Sequence, residues 1–215
     1  VSDPLGRCNI LEKVLFCKIA SMSWYKGVCP KDKPFNGGKY PRETGTCGED
    51  RNFMPVHTET GEKCFGFVEP KRGRSGYTNQ LRVENIRGAN ARHTDDSIDD
   101  ICVIWCATTD LNETSVIGWY KSATVYREIQ ELEFEDGDTL WYNVEAKSDN
   151  CVLLPRNTRH RHIWDAPVAK SRGYGFGQSM LWYASEPESE PFVERLLKNI
   201  EDYSGDNWLY VYPTE

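Results

Sequence analysis

Val116-Ile-Gly-Trp-Tyr-Lys-Ser-Ala-Thr-Val-Tyr-Arg127 is the stretch on which the reading of the fold turns. Upstream lies the apolar run Ile101-Cys-Val-Ile-Trp-Cys-Ala107, joined to it by the polar connection Thr108–Ser115. Val, Ile, Trp, Tyr and Thr suit a pleated surface, so both runs are expected to be strands. The first is near-continuously apolar, as in a strand covered on both faces. In the second, Trp119 and Tyr120 are adjacent, and adjacent strand residues point to opposite faces. One of the two rings is therefore expected to look away from the core, beside Lys121.

Composition sets the bounds. A chain of 215 residues suits one domain, and aromatic residues at 12% can fill a core with few aliphatics. No apolar stretch approaches the ~20 residues of a membrane helix. Val14–Ala20 is too short for a leader and is interrupted by Lys18, so a cytoplasmic protein is expected. Residues 1–13 read as an extension or an expression remnant, and 14–215 as a single domain. Eight cysteines are present, but with no C-x-x-C pair and with Cys17, Cys102 and Cys106 inside apolar runs. Reduced thiols are expected, with no metal and no cofactor. The formal net charge of -7 argues against bulk nucleic-acid binding. The bases nevertheless cluster, in Lys71, Arg72 and Arg74 and again in Arg156, Arg159 and Arg161.

Val14–Ala20 reads as a first core strand running into Trp24-Tyr25-Lys26, a second trio matching Trp119-Tyr120-Lys121. Residues 30–61 are broken by Pro34, Gly37, Gly38, Pro41, Gly45, Gly48 and Gly61 and read as a long loop. Such loops inside a domain are usually functional or disordered, and this one is not low in complexity. Lys63–Val68 is expected to be a strand. Leu81, Val83 and Ile86 are ambiguous between strand and helix, and 89–99 reads as a loop. Asp136-Gly137-Asp138 signals a turn. Leu140–Ala146 and Cys151–Leu154 look like a strand pair turning at 148–150. Met180–Tyr183 and Trp208–Tyr212 look like short strands. Pro187–Tyr203 is the one clear helix, with Phe192, Leu196, Ile200 and Tyr203 along one face.

There is no Gly-x-Ser-x-Gly elbow, phosphate-binding loop or His-Glu-x-x-His. Gly173, Gly175 and Gly177 lack the spacing of a dinucleotide site. His160 and His162 are open to two readings: half of a metal or nuclease site, or a basic strip facing phosphates. The twin trios are open to two as well. They are core packing, or they are opposing walls about 7 Å apart that sandwich a flat ring. In the second case Asn36 and Asn52 would read the ring's edge.

Asp100 followed by the strand, then Ile117-Gly118-Trp119 with its polar strand end, resembles the core strand pair of PUA-like domains, especially the EVE and YTH branch. It is also similar to the reader regions of bacterial HNH-type, modification-dependent endonucleases. The resemblance covers roughly residues 14–184. It implies an α+β fold, a curved mixed sheet or partial barrel with a few helices, and an aromatic cage for a flipped, modified base. Trp24, Tyr25, Trp119 and Tyr120 are the positions it implies for that cage.

The expected function is a nucleic-acid reader, the specificity module of a modification-dependent restriction system. Its base pocket would be built from the four aromatics with Asn36 and Asn52. Backbone contacts would come from Lys26, Lys71, Arg72, Arg74, Lys121, Arg159 and Arg161. Modified DNA, with RNA possible, is the expected partner, and cleavage would belong to a fused or associated nuclease. Two alternatives stay open: a metal-dependent nuclease or nucleotide hydrolase using His160 and His162, and a protein-interaction module with exposed tryptophans.

Overall fold

Val14–Ile19 (β1), Pro55–Thr58 (β2), Gly61–Gly66 (β3), Ser97–Thr108 (β4), Thr114–Glu133 (β5), Thr139–Lys147 (β6), Cys151–Leu153 (β7) and Leu181–Trp182 (β8) are the strands of a computed structural model. It describes residues 13–36, 48–70, 80–109 and 112–214. The helices are few: Ala169–Arg172 (α1), Glu190–Glu201 (α2) and short 3-10 turns. The class is mixed α+β.

The strands form one open mixed sheet in the order β2-β3-β6-β5-β4-β1-β8, with β7 added alongside β5. Among the described strands only the β1–β4 pair is parallel; in it, Phe16 lies opposite Ile104 and Cys17 opposite Trp105. β5 runs for 20 residues. It carries the expected 116–127 stretch and continues through the acidic segment, where Glu131 pairs with Trp141 and Leu132 with Leu140 of β6. The β4–β5 register shifts between Ile98 and Ile101, where Asp100 adopts φ +63°. An aspartate tolerates the left-handed region better than a branched residue, and the irregularity sharpens the twist of the pair.

Both faces of this sheet are covered, which corrects the expectation that one of Trp119 and Tyr120 would look outward. On one face Leu15, Cys17, Trp105, Ile117 and Tyr120 join Phe53, Cys64 and Leu153. On the other, Phe16, Ile104, Val116 and Trp119 meet Trp164, Trp182 and the apolar side of α2. α2 exists to cover that second face. Phe192, Val193, Leu196 and Ile200 are its buried residues, a 3-10 turn at Pro187–Ser189 leads into it, and a proline sits in its first turn. Each such side chain contributes about 1.5–3 kcal/mol on burial, so Leu196→Ala alone would loosen the layer.

Gly118 shows why the β5 stretch needs a glycine. A Cβ there would lie 2.3 Å from the carbonyl oxygen of Val152 and 2.7 Å from the Phe53 ring. The bare backbone lets β7 pair with β5 at Gly118–Tyr120. Residues 140–146 and 151–154 are thus two strands as expected, but each pairs with β5 and not with the other.

Two further expectations are corrected. The 30–61 loop contains β2, a four-residue edge strand whose opening Pro55 disguised it. Trp208–Tyr212 is not a strand; Trp208–Tyr210 is a 3-10 turn capped by Asn207. Asn207 accepts from Leu209 N at 2.9 Å and Leu153 N at 3.0 Å while donating to Cys151 O at 2.9 Å. One amide thereby stands in for a neighbouring strand beside β7. Leu81, Val83 and Ile86, whose pattern suits strand and helix alike, are all buried around a 3-10 turn at Val83–Asn85. That segment is tied down by Arg127, which donates to Glu84 at 2.8 Å and to the carbonyls of Asp95 and Arg92. Among the described residues Cys17, Cys29, Cys64, Cys106 and Cys151 are free thiols. Among the described residues no helix is long and apolar enough to cross a membrane.

Candidate functional site

The chain leaves β1 through a tight loop, Ala20–Tyr25, and this loop builds the site. Tyr25 is fully buried at φ +54°, a conformation costly for a bulky residue unless its surroundings enforce it. Its hydroxyl donates to Ala20 O at 2.7 Å and accepts from Met22 N at 3.0 Å, closing the loop on itself. The buried Asp32 then accepts from three successive backbone N–H groups, those of Ser23 at 2.6 Å, Trp24 at 2.9 Å and Tyr25 at 3.1 Å. From the other side Arg159 donates to the carbonyls of Met22 at 2.7 Å and Ser23 at 2.8 Å, and its Nε to Leu154 O at 2.9 Å. A carboxylate thus holds the N–H groups of the loop, and a guanidinium its carbonyls. The backbone dipoles between them let both charges be buried with hydrogen bonds made.

Against this loop lies a cavity of about 190 Å³. It falls below the ~300–1,000 Å³ of drug-sized pockets, so it suits one ring system with a few attached groups. Its cationic wall comes from Lys31, Lys33, Arg156 and Arg159. Asp32 is the one carboxylate in the lining, and backbone N–H groups take both of its oxygens. Burial lowers the Arg159 pKa to about 10, with Asp32 pulling the other way.

Phe35 supplies an aromatic surface. Its backbone is fixed by reciprocal bonds with Ser21, N to O at 3.0 Å and O from N at 2.7 Å, yet its side of the chain stays 49% exposed. The far wall holds Thr109 and His160. Thr109 is buried, and neither its Oγ1 nor the His160 Nδ1 has a hydrogen-bond partner. Burying such groups unpaired costs about 1–3 kcal/mol each.

The expected base pocket between Trp24 and Trp119 does not form, and both partners explain why. Trp119 is 1% exposed. It stacks on Trp164 at 5.4 Å and meets the edge of Tyr203 at 5.4 Å, so protein rings already cover it. Trp24 is half-buried and stacks on Trp208 at 6.2 Å and 6°. Tyr120 lies on the opposite face from Trp119, against Phe53 and Trp105. Tyr25 is the loop-closing residue described above. All four aromatics are structural here.

The remaining expected residues divide. Asn52 is buried and clamps Phe67, accepting from its N at 2.9 Å and donating to its O at 2.9 Å, so it has no free edge to read a base. Asn36 sits beside the cavity at φ +57° and donates to Thr109 O at 3.4 Å. Arg159 is at the cavity but donates to the carbonyls of Met22, Ser23 and Leu154, which makes it a positioning residue. Lys26 turns inward to Phe53 O and Leu209 O, and burial lowers its pKa to about 8. Lys121 pairs with Glu201 at 2.8 Å, away from the cavity lining. Arg161 is exposed and outside that lining. Lys71, Arg72 and Arg74 lie outside the described residues.

His160 and His162, read as a possible metal pair, part company. His160 faces the cavity, whereas the exposed His162 contacts Asp165 at 3.3 Å. Among the described residues no group of three or more His, Cys, Asp or Glu is placed to hold a metal. The residues missed were Lys31, Lys33, Phe35 and Thr109. Lys31-Asp-Lys-Pro-Phe-Asn36 did carry a signal: bases interleaved with an aromatic, stiffened by proline.

No protein-family model, curated protein or solved structure matches the chain.

Proposed function

We propose that the protein is a nucleic-acid reader of PUA-like type that takes one modified, flipped-out base into the cavity beside Phe35. The observation that carries this reading is the concentration of four cationic side chains around an exposed, backbone-fixed aromatic in a chain of net charge -7. An acidic protein that gathers bases at one concave site is selecting an anion there, not coating itself for non-specific contact. Flipped bases are recognised by stacking and by polar groups on their edge, and Phe35, Thr109 and His160 are the residues available for both. The fold supports the reading to the extent that a mixed sheet with a parallel β1–β4 pair carries the site at its strand ends. The preference for a modified base rests on the likeness of the Asp100–Trp119 region to EVE and YTH domains. Restriction would then require a nuclease elsewhere in a longer protein or in a partner.

Parallel binding of duplexes with and without a modified base, at one fixed salt concentration, tests the reading. Tighter binding to one modified duplex is the expected outcome, lost in Phe35→Ala. Equal affinity across a panel carrying methylated and hydroxymethylated cytosine and methylated adenine would overturn it.

A further inference from the structure

We infer that the far end of the β5–β6 ribbon is a docking face for another protein, and that its occupant is an extended segment rich in Lys and Arg. None of the ribbon's residues lines the cavity, so the two surfaces are tested independently.

The ribbon outruns its neighbours. β4 stays beside β5 only as far as Tyr126, and β3 stays beside β6 only from Val144 onward. Beyond those limits Gln130–Glu133 and Thr139–Tyr142 pair with each other. Among the described residues no further strand flanks either edge there. Such edges present backbone N–H and C=O groups with which an added strand can pair.

One face of this extension carries a ring in water. Glu131 lies opposite Trp141 and Glu133 opposite Thr139, so the four share a face. Leu132 and Leu140, the pair between them, turn to the other face, and Leu140 is buried there. Trp141 is 53% exposed, and Ile129, two residues before Glu131, is 36% exposed. The other six of the chain's seven tryptophans are buried or half-buried, so this ring stands apart in being left to solvent. Tryptophan is among the side chains that carry most binding energy at protein interfaces.

The occupant follows from the charge around the ring. Glu131, Glu133 and Glu135 are exposed and, among the described residues, form no ion pair. Asp138 is held by Arg51 and Glu128 by Gln80, so neither is counted. A nucleic-acid strand would meet these carboxylates and be repelled. The same ribbon of a second copy, paired edge to edge, would set like charges against each other. A cationic segment meets neither penalty. Added as a strand beside β6, it sends alternate side chains to the Trp141 face. There an Arg or Lys lies over the indole, whose face attracts cations, and its head group reaches the glutamates. Charge by itself would not single out this place in a chain of net charge -7; the exposed tryptophan does.

Fluorescence anisotropy of the full chain with two short labelled peptides tests this, one alternating Arg with Val and one alternating Glu with Val. The Arg–Val peptide is expected to bind about tenfold or more tightly than the Glu–Val peptide. Trp141→Thr, which keeps β propensity, should weaken the Arg–Val peptide about tenfold. Glu131→Gln with Glu133→Gln should weaken it about threefold and flatten its salt dependence. Glu188→Gln with Glu194→Gln removes the same charge from the exposed surface around α2 and should change nothing. All five side chains are exposed, and thermal melts check that each variant is folded.

Failure of the Arg–Val peptide to bind overturns the inference, as does wild-type binding by Trp141→Thr or an equal loss in the α2 pair. A dimer in sedimentation that Trp141→Thr dissolves would make a second copy the occupant and overturn it too. So would a single-stranded oligonucleotide whose binding Trp141→Thr abolishes, which would place nucleic acid on the ribbon.

Discussion

Trp24-Tyr25-Lys26 and Trp119-Tyr120-Lys121 are the same tripeptide placed at the ends of two different structural problems. The second lies within β5, so its rings are sent to opposite faces, and both faces are core. The first lies just past β1, in a loop turned by Tyr25 at φ +54°. There the tyrosine points inward while the tryptophan lies half-buried on Trp208. The lysines diverge as well, Lys26 turning to buried carbonyls and Lys121 to a surface glutamate. A shared tripeptide therefore fixes neither direction nor role. Backbone conformation decides direction, and what covers each face decides role.

The largest expected contrast is between the tryptophans. Trp119→Ala removes a side chain buried against Trp164 and Tyr203 and should cost about 3–5 kcal/mol in urea denaturation. Trp24→Ala removes one exposed-side stack on Trp208 and should cost about 0.5–1.5 kcal/mol beyond its modest burial. If Trp119→Ala kept wild-type stability and lost ligand binding instead, the ring would be a pocket wall after all and the contrast would collapse.

The tyrosines sharpen it. The Tyr25 hydroxyl serves two backbone groups, whereas the Tyr120 hydroxyl is buried with no partner. Tyr25→Phe strands Met22 N and Ala20 O and should cost about 1–3 kcal/mol; Tyr120→Phe removes only an unsatisfied group and should be neutral or stabilising. Equal losses at the two positions would mean that Tyr120 has a partner of its own, such as a buried water.

Two groups around the first trio give it a pH signature. Glu49 accepts from Ala20 N at 2.9 Å, and its burial raises its pKa from 4.5 to about 8. The folded state holds that proton between these values while the unfolded chain releases it, so stability falls as pH rises from 4.5 to about 8. The fall amounts at most to a few kcal/mol, roughly 1.4 kcal/mol for each unit of displacement. Lys26 behaves oppositely. Burial lowers its pKa from 10.5 to about 8, so the unfolded chain holds more protons above that point and stability climbs from about 8 towards 10.5. Together they place a stability minimum near pH 8. Thermal melts across pH 5 to 10 should show Glu49→Gln flattening the acid-side limb and Lys26→Met the alkaline one. A minimum that persists in both variants would assign it to other groups.

Much of the fold was legible because its signals are local. β1, β3, β4, the core of β5, β8 and α2 follow from apolar runs and one 3.6-residue periodicity. Pairing was not legible. β7 joins β5 because Gly118 admits it, and nothing in residues 140–154 by themselves distinguishes that from a hairpin. The site was read in the wrong place for a related reason. A lone outward aromatic is inferred only if the strand has a single core, and the second core is made by Trp164, Trp182 and α2, which lie far along the chain. The cavity's own residues are drawn from five separate segments, and only the Lys31–Asn36 run carries a signal of its own. Arg159 was identified as functional by its charge, but its work on the carbonyls of Met22 and Ser23 is visible only once those loops meet.

The smallest expected effect separates the second trio from the cavity that the first trio's loop builds. Lys121 and Lys33 are both lysines of unburied reach, and charge counting treats them alike. Lys121 is paired with Glu201 at 2.8 Å and stands outside the cavity lining, whereas Lys33 belongs to it. An exposed pair of this kind is screened by salt and adds little to folding, so Lys121→Ala should leave both the melting temperature and nucleic-acid affinity unchanged. Lys33→Ala should weaken binding to every sequence alike and reduce the slope of log K against log salt by about 1, as the loss of one phosphate contact requires. Equal effects of the two substitutions on the salt slope would place the nucleic-acid path across the β5 trio, and not across the loop that Asp32 and Arg159 hold together.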